Sequence, residues 1–335
     1  MTLSPAALAY LDELGLGSGP ARLRPIGEGH SNLTYLVTRG DAEFVLRRPP
    51  AGDIAASAND VVREARVLEA LAGSALRVPA VIAICEDASL LGAPFFLAEF
   101  VAGAALVSAT PAGWGEREAR WAADGALDAL LDLHSLDLAA TGLDAFGRPN
   151  GYLERQLKRF TGLLETNATR PLPDLERVAT WLADNRPDSQ ATTFVHGDFR
   201  LGNLLFDERA DVAAVLDWEM STTGDPLADL GYLTATWAQP GEPRNPMTDL
   251  SAVTERPGFP TRDELARRYA ERSSISLDSL PWYQVLALWK AAIFLEGSFR
   301  RHQAGKSDDP YFAGLETGVP VLAAAALRGT RRSLT

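Results

Sequence analysis

Three side chains within one short segment have the types and the spacing that phosphoryl transfer requires. His196, Asp198 and Asn203 form the pattern H-x-D-x-x-x-x-N, and Asp217 follows fourteen residues after Asn203. Transfer of the γ-phosphoryl group of ATP to a hydroxyl needs a carboxylate that accepts the hydroxyl proton. It also needs an amide oxygen and a second carboxylate that hold Mg²⁺ on the phosphates. The pattern therefore predicts Asp198 as the base and Asn203 and Asp217 as metal ligands.

Two other interpretations explain this segment less well. Asp and Asn often cap turns in loops, but turn capping does not require this combination at this spacing. A hydrolytic metal site would recruit further imidazole ligands, and no other histidine lies close to His196 in the sequence.

A second group of residues, nearer the N terminus, could hold the phosphates. In IGEGHSNLTYLV, Gly27 and Gly29 separate two strand-like runs. Without side chains at these positions, main-chain N–H groups could approach a triphosphate. An ordinary hairpin turn would explain the two glycines equally well. Arg47 ends the next run, and Glu64 lies on the predicted helix that follows. Kinases hold the α- and β-phosphates with such a strand cation paired to a helix acid, whereas the alternative is a solvated surface pair. Arg48 is the neighbouring alternative to Arg47.

The pattern of predicted elements changes near residue 102. Before it, short runs rich in β-branched and aromatic residues are broken by Gly, Asp and Pro, which predicts an antiparallel meander. Residues 60–71 place apolar side chains at helical spacing. We therefore expect residues 1–102 to form a nucleotide-binding N-lobe of sheet with one main helix, and to end in a hinge.

Residues 103–335 are expected to form a mostly helical C-lobe that includes the acceptor-binding helices. From Gly115 onward, apolar residues recur three and four positions apart. The segment 194–219 interrupts this pattern, because the short strand-like runs FVHGD, NLLFD and VAAVLDW alternate with polar turns. We predict that this segment is the catalytic loop of a bilobal α+β fold.

Composition and charge exclude several classes of protein. The chain has 335 residues, of which 46% are hydrophobic and 23% charged, enough for two lobes with their own cores. A net charge of -12 repels a phosphate backbone, so no nucleic-acid partner is expected. Cys85 is the single cysteine, the N terminus lacks the pattern of a signal peptide, and no apolar run reaches the roughly eighteen residues of a membrane span. We expect a cytoplasmic protein that does not engage the membrane.

The motifs resemble those of the aminoglycoside phosphotransferase and choline kinase superfamily, which is similar in fold to protein kinases. The resemblance spans nearly the whole chain. Its most specific part is VHGDFRLGNLLFD followed by VLDWEMSTTGDPLADL, and IGEGHSN, VLRRPP, VVREARVLEAL and FFLAEFVAG occur in the expected order. Through VLRRPPAG, VPAVIAICED and GAPFFLAEFVAG, the chain is most similar to the kinase-like domains linked to acyl-CoA dehydrogenases.

The resemblance implies ATP and Mg²⁺ as cofactors, with HGD at residues 196–198 in place of the HRD of protein kinases. It implies that nucleotide contacts come from the following residues: Gly27, Gly29, Ser31, Arg47 and, through main-chain groups at the hinge, Glu99, Phe100 and Val101. Two features depart from the protein-kinase pattern. Trp218 and Glu219 follow Asp217 in place of Phe-Gly, and the phosphate cation is Arg47 in place of a lysine.

Other residues have structural or unresolved roles at this stage. Asp225 precedes Pro226 and is expected to cap a helix that carries Asp229. His134 fits a packed core histidine, with orientation of the catalytic loop as the functional option. Cys85 lies in an apolar strand and is expected to be inert.

The predicted activity is transfer of a phosphoryl group to a hydroxyl of a small molecule. An aminoglycoside would need a carboxylate-lined cleft, and a choline-type alcohol would need aromatic side chains. A hydroxyacyl-CoA would need local cations for its phosphates, and Arg300, Arg301 and Lys306 form a cluster of basic residues late in the sequence. Glu296 is a further candidate for the acceptor cleft. The alternative from another class is a pseudokinase, which binds a nucleotide or a partner without catalysis. Protein-kinase activity is disfavoured because no DFG or APE sequence frames an activation segment. Oligomeric state is not determined by these patterns.

Overall fold

A computed structural model describes residues 3–27, 32–50, 60–305 and 310–332, and it divides the chain into two compact units. Unit 1 comprises Met1–Ala102 and Ala213–Met220, and unit 2 comprises Gly103–Val212 and Ser221–Thr335. The division after residue 102 is where the sequence pattern changes. Residues 213–220 belong to unit 1, whereas the sequence pattern assigned them to the C-lobe. The reason is hydrogen bonding, since Val215 donates its N–H to the carbonyl of Arg77 over 2.8 Å.

Unit 1 is built on one five-stranded antiparallel sheet, ordered β1-β2-β3-β5-β4. Its strands are β1 (Arg22–Pro25), β2 (Leu33–Arg39), β3 (Ala42–Arg48), β4 (Val81–Cys85) and β5 (Phe95–Glu99). Side chains alternate between the two faces of a strand, so Phe44 and Leu46 of β3 enter the apolar core and Arg47 lies on the opposite face. This alternation positions the guanidinium of Arg47 outside the core.

Three helices complete unit 1: α1 (Pro5–Glu13), α2 (Val61–Leu71) and α3 (Ala88–Leu91). The predicted helix α2 begins after Asp60, whose carboxylate accepts from the N–H of Arg63 over 2.9 Å. The sequence analysis missed α1, although the hydroxyl of Ser4 caps it and Pro5 stands at its first position, both ordinary signals of a helix start. Leu11 of α1 packs into the core of the sheet.

Unit 2 is mostly helical, as predicted. Its helices are α4 (Glu116–His134), α5 (Leu138–Thr141), α6 (Tyr152–Asn167), α7 (Pro173–Asp184), α8 (Pro226–Thr236), α9 (Pro246–Asp249), α10 (Arg262–Ser273), α11 (Leu280–Gln303), α12 (Pro310–Ala313) and α13 (Leu315–Arg332). Helix α11 packs against α6, α7, α8 and α13. The described helices include none that is long and apolar enough to cross a membrane.

Short strands interrupt the helices where the sequence predicted the catalytic loop. They are β6 (Thr193–Val195), β7 (Leu204–Phe206), β8 (Val212–Val215) and β9 (Thr222–Gly224), and β6 pairs with β9 in antiparallel register. The 3₁₀ turn Leu201–Asn203 lies between β6 and β7. The expected α+β class is confirmed, since an antiparallel sheet and a helical unit with short strands are both present.

Candidate active site

Arg47 is the centre of an ionic cluster in unit 1. Its Nε donates to Oε2 of Glu64 over 2.8 Å, and its Nη2 donates to Oδ1 of Asp217 over 2.6 Å. Oε2 of Glu219 lies 3.8 Å from Nη2. Arg48, the alternative left open by the sequence, instead donates to the carbonyl of Leu91. The structure therefore pairs Arg47 with Glu64.

The charges in this cluster do not balance, because three carboxylates surround one guanidinium. Burial alone would lower the pKa of Arg47, but Glu64, Asp217 and Glu219 together raise it, so the side chain stays protonated. Burial raises the pKa of Glu64, and Asp217 adds to the effect while Arg47 opposes it. These four side chains carry an excess of negative charge that an added cation would neutralise.

Asp217 has an unusual backbone conformation for a residue other than glycine. Its φ of 68° lies in the left-handed region, which L residues seldom adopt and which is common at functional sites. The next residue, Trp218, donates its N–H to Oε1 of Glu64 over 3.3 Å. This hydrogen bond joins the 3₁₀ turn that starts at Trp218 to helix α2. Asp217 directly precedes that turn.

The glycine-rich segment is only partly within the described residues. Gly27 has a φ of 80°, a conformation that favours glycine, while Gly29 and Ser31 lie outside the described residues. Asn32, which follows, is buried and donates from Nδ2 to Oε2 of Glu219 over 2.9 Å. This contact was not foreseen, and it ties the end of the segment to the Arg47 cluster.

The predicted hinge follows directly after β5. Glu99 donates its N–H to the carbonyl of Ala80 over 2.8 Å, so this donor is already used within the sheet. Among the described residues, Phe100 and Val101 make no such main-chain hydrogen bond. Of the three predicted adenine contacts, these two thus retain available main-chain groups.

Asp198 and Asn203 are joined in unit 2. Nδ2 of Asn203 donates to Oδ2 of Asp198 over 2.8 Å and to its carbonyl oxygen over 2.8 Å. The other carboxylate oxygen of Asp198, Oδ1, has no hydrogen bond within the described residues, and Nε of Arg200 lies 3.6 Å from it. One oxygen of Asp198 is therefore held by Asn203, while the other is at ion-pair distance from Arg200 without a hydrogen bond from a described residue.

His196, predicted to take part in catalysis, lies against the main chain of Asp198. Its side chain is fully buried, and its Nδ1 accepts from the N–H of Asp198 over 3.2 Å. Gly197, with a φ of 84°, separates the two in a conformation that favours glycine. The structure therefore brings His196 and the predicted base Asp198 together, through the main chain of Asp198.

Asp229, on α8, accepts hydrogen bonds from the main chain of this loop. Its Oδ2 accepts from the N–H of His196 over 2.6 Å and its Oδ1 from the N–H of Gly197 over 2.8 Å. His134 approaches Oδ2 at 3.3 Å through Nε2 and contacts the hydroxyl of Tyr269 at 2.8 Å through Nδ1. Burial alone would raise the pKa of Asp229, but the hydrogen bond and charge of His134 outweigh it and lower the pKa. His134 is thus packed in the core, as expected, and it also contacts the carboxylate that holds the loop.

A small pocket opens beside the catalytic loop, in unit 2. It is lined by Gly197, the tyrosines Tyr152, Tyr232 and Tyr283, and apolar residues of α8 and α11, together with Lys290. Lys290 lies with its Nζ 4.9 Å from the ring centre of Phe160. The sequence analysis gave Lys290 no role, because a single lysine within an apolar helix has no motif around it.

The late charged residues that are candidates for the acceptor cleft have hydrogen-bond partners within the described residues. Glu296 is completely buried and accepts from the hydroxyl of Thr169 over 2.6 Å and from Arg170 over 3.1 Å. Arg300 donates to the carbonyl of Thr166, and Arg301 donates to the hydroxyl of Ser298 on its own helix. Lys306 lies outside the described residues. Glu296 is thus a buried residue of the packing between helices, with its carboxylate hydrogen-bonded to Thr169 and Arg170.

The donor chemistry fits Mg²⁺. Asn203 commits its amide nitrogen to Asp198, which leaves its amide oxygen as a ligand, and Asp217 belongs to a cluster with excess negative charge. Within the described residues, no three His, Cys, Asp or Glu side chains converge on one preformed metal cage. Mg²⁺ is usually held by one or two carboxylates plus substrate phosphates and water, so a few oxygen donors suffice.

Comparison with known proteins gives a consistent result at the level of sequence. A family model described as the phosphotransferase enzyme family matches residues 22–269. The chain is 36% identical over 294 residues to acyl-CoA dehydrogenase family member 10 of Mus musculus, covering 87% of this chain and 27% of that protein. It is 33% identical over 338 residues to acyl-CoA dehydrogenase family member 11 of Rattus norvegicus, covering 98% of this chain and 43% of that protein. The chain spans less than half the length of these curated relatives.

Solved structures show the same fold. The chain aligns with a Ralstonia eutropha JMP134 protein provisionally named an aminoglycoside phosphotransferase, with a TM-score of 0.81, 28% identity and coverage of 98% of this chain and 99% of that one. A thermostable mutant of the aminoglycoside phosphotransferase APH(4)-Ia with AMP-PNP and hygromycin B gives a TM-score of 0.56 at 17% identity, covering 97% and 99%. The resemblance inferred from the sequence, including its kinase-like fold, is confirmed.

Proposed function

Because the chain belongs to the phosphotransferase enzyme family, we propose that it transfers the γ-phosphoryl group of ATP to a hydroxyl group of a small molecule, with Mg²⁺ as cofactor. The hydroxyl oxygen forms a bond to the γ-phosphorus as the bond from the bridging β–γ oxygen to that phosphorus breaks, which releases ADP. The hydroxyl proton passes to Asp198. Kinase-type transfer needs no covalent enzyme intermediate.

The hydrogen bonding of Asp198 is the observation that carries this proposal. Asn203 holds Oδ2, while Oδ1 has no hydrogen bond within the described residues. A buried acceptor without a donor is unfavourable, and an acceptor hydroxyl is the kind of group that satisfies it. In this proposal the acceptor's own O–H completes the environment of Asp198, with its oxygen directed to the phosphorus.

The remaining roles follow from charge. Asn203 and Asp217 would hold Mg²⁺, which when bound neutralises charge on the phosphate oxygens. Arg47, oriented by Glu64, would donate to the phosphates as a planar fork. Main-chain groups of Phe100 and Val101 would contact adenine, and the segment from Gly27 through Gly29 and Ser31 would lie near the phosphates. In this scheme Glu64 and His196 act through Arg47 and Asp198.

The acceptor is proposed to be a hydroxylated acyl compound, such as a hydroxyacyl-CoA. The similarity to proteins named acyl-CoA dehydrogenase family members 10 and 11 supports this class. Aminoglycoside-like and choline-like alcohols are the other acceptors to test, because the structural neighbours include aminoglycoside and macrolide phosphotransferases.

Calorimetry and an acceptor panel test the proposal together. We expect wild type to bind ATP in a Mg²⁺-dependent manner and to release ADP with one class of hydroxylated acceptor. Asp217→Asn should lose most of the Mg²⁺-dependent part of binding. Asp198→Ala should bind ATP normally and lose roughly 10²- to 10⁴-fold in kcat, the usual contribution of general base catalysis. Asp263→Asn, an exposed residue of α10, is the matched control.

Two results would count against the proposal. Full turnover by Asp198→Ala would exclude this carboxylate as the base. Nucleotide binding by wild type without turnover on any acceptor would favour a pseudokinase.

A further inference from the structure

We propose that Lys290 binds an acyl oxygen of the acceptor, a carboxylate or carbonyl oxygen carried on the same molecule as the reactive hydroxyl. This rests on the proposed function and names the feature of the acceptor that the pocket selects. Polyamines and quaternary ammonium alcohols would be rejected, since they would bring a second positive charge to Lys290.

The position of the pocket is the first argument. Gly197, which lines it, is bonded through its own carbonyl to Asp198, so a group in the pocket lies beside the proposed base. The pocket walls come from α6, α8 and α11 of unit 2, and Lys290 belongs to α11. An acceptor with its hydroxyl at Asp198 can therefore place a neighbouring oxygen at Lys290.

The charge around Lys290 is the second argument. Within the described residues no carboxylate lies within ion-pair distance of its ammonium group, which lies over the face of Phe160. Burial and the guanidinium of Arg159 lower the pKa of Lys290 to about 8, while Asp229 and Asp198 act against them from a greater distance. Burial raises the pKa of Tyr152, so this wall residue stays a neutral phenol. The positive charge of the Lys290 ammonium group is therefore not balanced by a described carboxylate at ion-pair distance. An oxygen ligand would stabilise this charge.

Lysine NMR tests the inference without requiring turnover. The sequence contains only Lys158, Lys290 and Lys306, so protein labelled with ¹³C at lysine Cε gives three signals, which Lys290→Met and Lys158→Met assign. The probes are hydroxybutyrates with the hydroxyl at C2, C3 or C4, their N-acetylcysteamine thioesters, and 1,3-butanediol, which has hydroxyls but no acyl oxygen. We expect at least one acid or thioester to shift the Lys290 signal, and an acid to raise its titration midpoint above about 8. Butanediol should do neither.

The two acyl sources and the controls separate the outcomes. A response to the acids alone identifies a free carboxylate, and a response to the thioesters alone identifies the carbonyl; either supports the inference. With an acceptor that turns over, Lys290→Met should raise KM about 10- to 100-fold, the effect of one lost charge-assisted hydrogen bond. The exposed Lys158→Met should leave KM unchanged.

No perturbation of Lys290 by any acyl probe, or equal perturbation by butanediol, would overturn the inference. Failure of the proposed function looks different. It would appear as absent ATP binding or as Asp198→Ala turning over normally, whatever the lysine spectrum shows.

Discussion

The side-chain amide of Asn203 donates to the carboxylate of Asp198 over 2.8 Å. One residue proposed to hold the metal therefore also orients the proposed base. Metal binding and orientation of the base are usually assigned to separate residues. Here both are assigned to Asn203, so a substitution of Asn203 should affect both.

Asn203→Ala should weaken Mg²⁺ binding and also lower kcat by at least about tenfold when Mg²⁺ is saturating. The second effect arises because Oδ2 of Asp198 loses its donor, and misorientation of a base is costly. A Mg²⁺ titration of ADP release separates the two effects. Asn185→Ala is the control, because Asn185 is exposed and only caps α7. Full recovery of kcat at high Mg²⁺ would mean that Asn203 serves only the metal.

Asp229→Asn should lower both stability and kcat. The amide that replaces one carboxylate oxygen would face the N–H of His196 or Gly197, donor against donor, which costs roughly 1–3 kcal/mol or more in a buried site. We expect ATP affinity to stay within about twofold, because Asp229 lies in unit 2 and the Arg47 cluster in unit 1. Urea unfolding measures the stability, ADP release measures kcat, and calorimetry measures the ATP affinity.

Asp225→Asn gives the matched comparison on the same helix. Asp225 caps α8 and accepts from the hydroxyls of Ser189 and Tyr283, and no hydrogen bond between described residues joins its side chain to residues 194–219. The Asp225→Asn variant should be less stable than wild type but keep its kcat within about threefold of wild type. Equal loss of kcat in both variants would show that α8 as a whole, and not the Asp229 contact, positions the loop.

Gly231→Ala should destabilise unit 2 by about 1–3 kcal/mol, the usual cost of overpacking. A Cβ atom at Gly231 would lie 2.6 Å from Cβ of Tyr283 and 2.8 Å from its carbonyl carbon, so α8 and α11 would have to separate. Gly162→Ala on α6 meets nothing within 4 Å and should stabilise by roughly 0.5–1 kcal/mol through helix propensity. Thermal unfolding of both variants compares them; a stable Gly231→Ala would contradict the close packing.

Glu296→Ala should cost about 2–3 kcal/mol of unfolding free energy and leave the KM of the acceptor unchanged. Glu296 is buried, and its loss leaves Arg170 and Thr169 without their acceptor. The estimate is below that for a fully buried pair because Arg170 is partly exposed. Arg301→Ala, on the exposed end of the same helix, should change stability by less than about 0.5 kcal/mol. A raised KM in Glu296→Ala would restore its predicted place at the acceptor.

Lys290→Met should be more stable than wild type at pH 7, by roughly 1–2 kcal/mol, in the absence of acceptor. The native pKa of about 8 lies below the ordinary value of 10.5, so the unfolded chain binds more protons between these values. Wild type therefore gains stability as pH rises from about 8 to 10.5, and the advantage of Lys290→Met disappears over that interval. Part of the side chain reaches solvent, which reduces the full effect of the pKa shift. Urea unfolding at several pH values measures the difference, with Lys158→Met expected to match wild type.

Local sequence was sufficient to predict the elements that carry the site. Helical spacing indicated α2, and runs of β-branched and aromatic residues indicated the strands of unit 1. The spacing of His196, Asp198 and Asn203 places these residues on one loop between adjacent short strands, so their proximity follows from chain connectivity. Short helices such as α3 and α9 escaped prediction because four residues are too few to show a period.

Contacts between residues far apart in the chain were decided only by tertiary structure. The sequence favoured Arg47 with Arg48 as the neighbouring alternative, and only the structure shows that Arg47 bonds to Glu64 of α2 while Arg48 bonds to the carbonyl of Leu91. Rotation of α11 buries Glu296 and turns Lys290 toward the catalytic loop, although one 24-residue helix carries both. A motif records spacing along the chain, whereas burial and pairing depend on how each helix is rotated against its neighbours. The sequence by itself therefore determined the family, and the packing of α11 determined that Glu296 is buried in an ion pair whereas Lys290 has no carboxylate at ion-pair distance within the described residues.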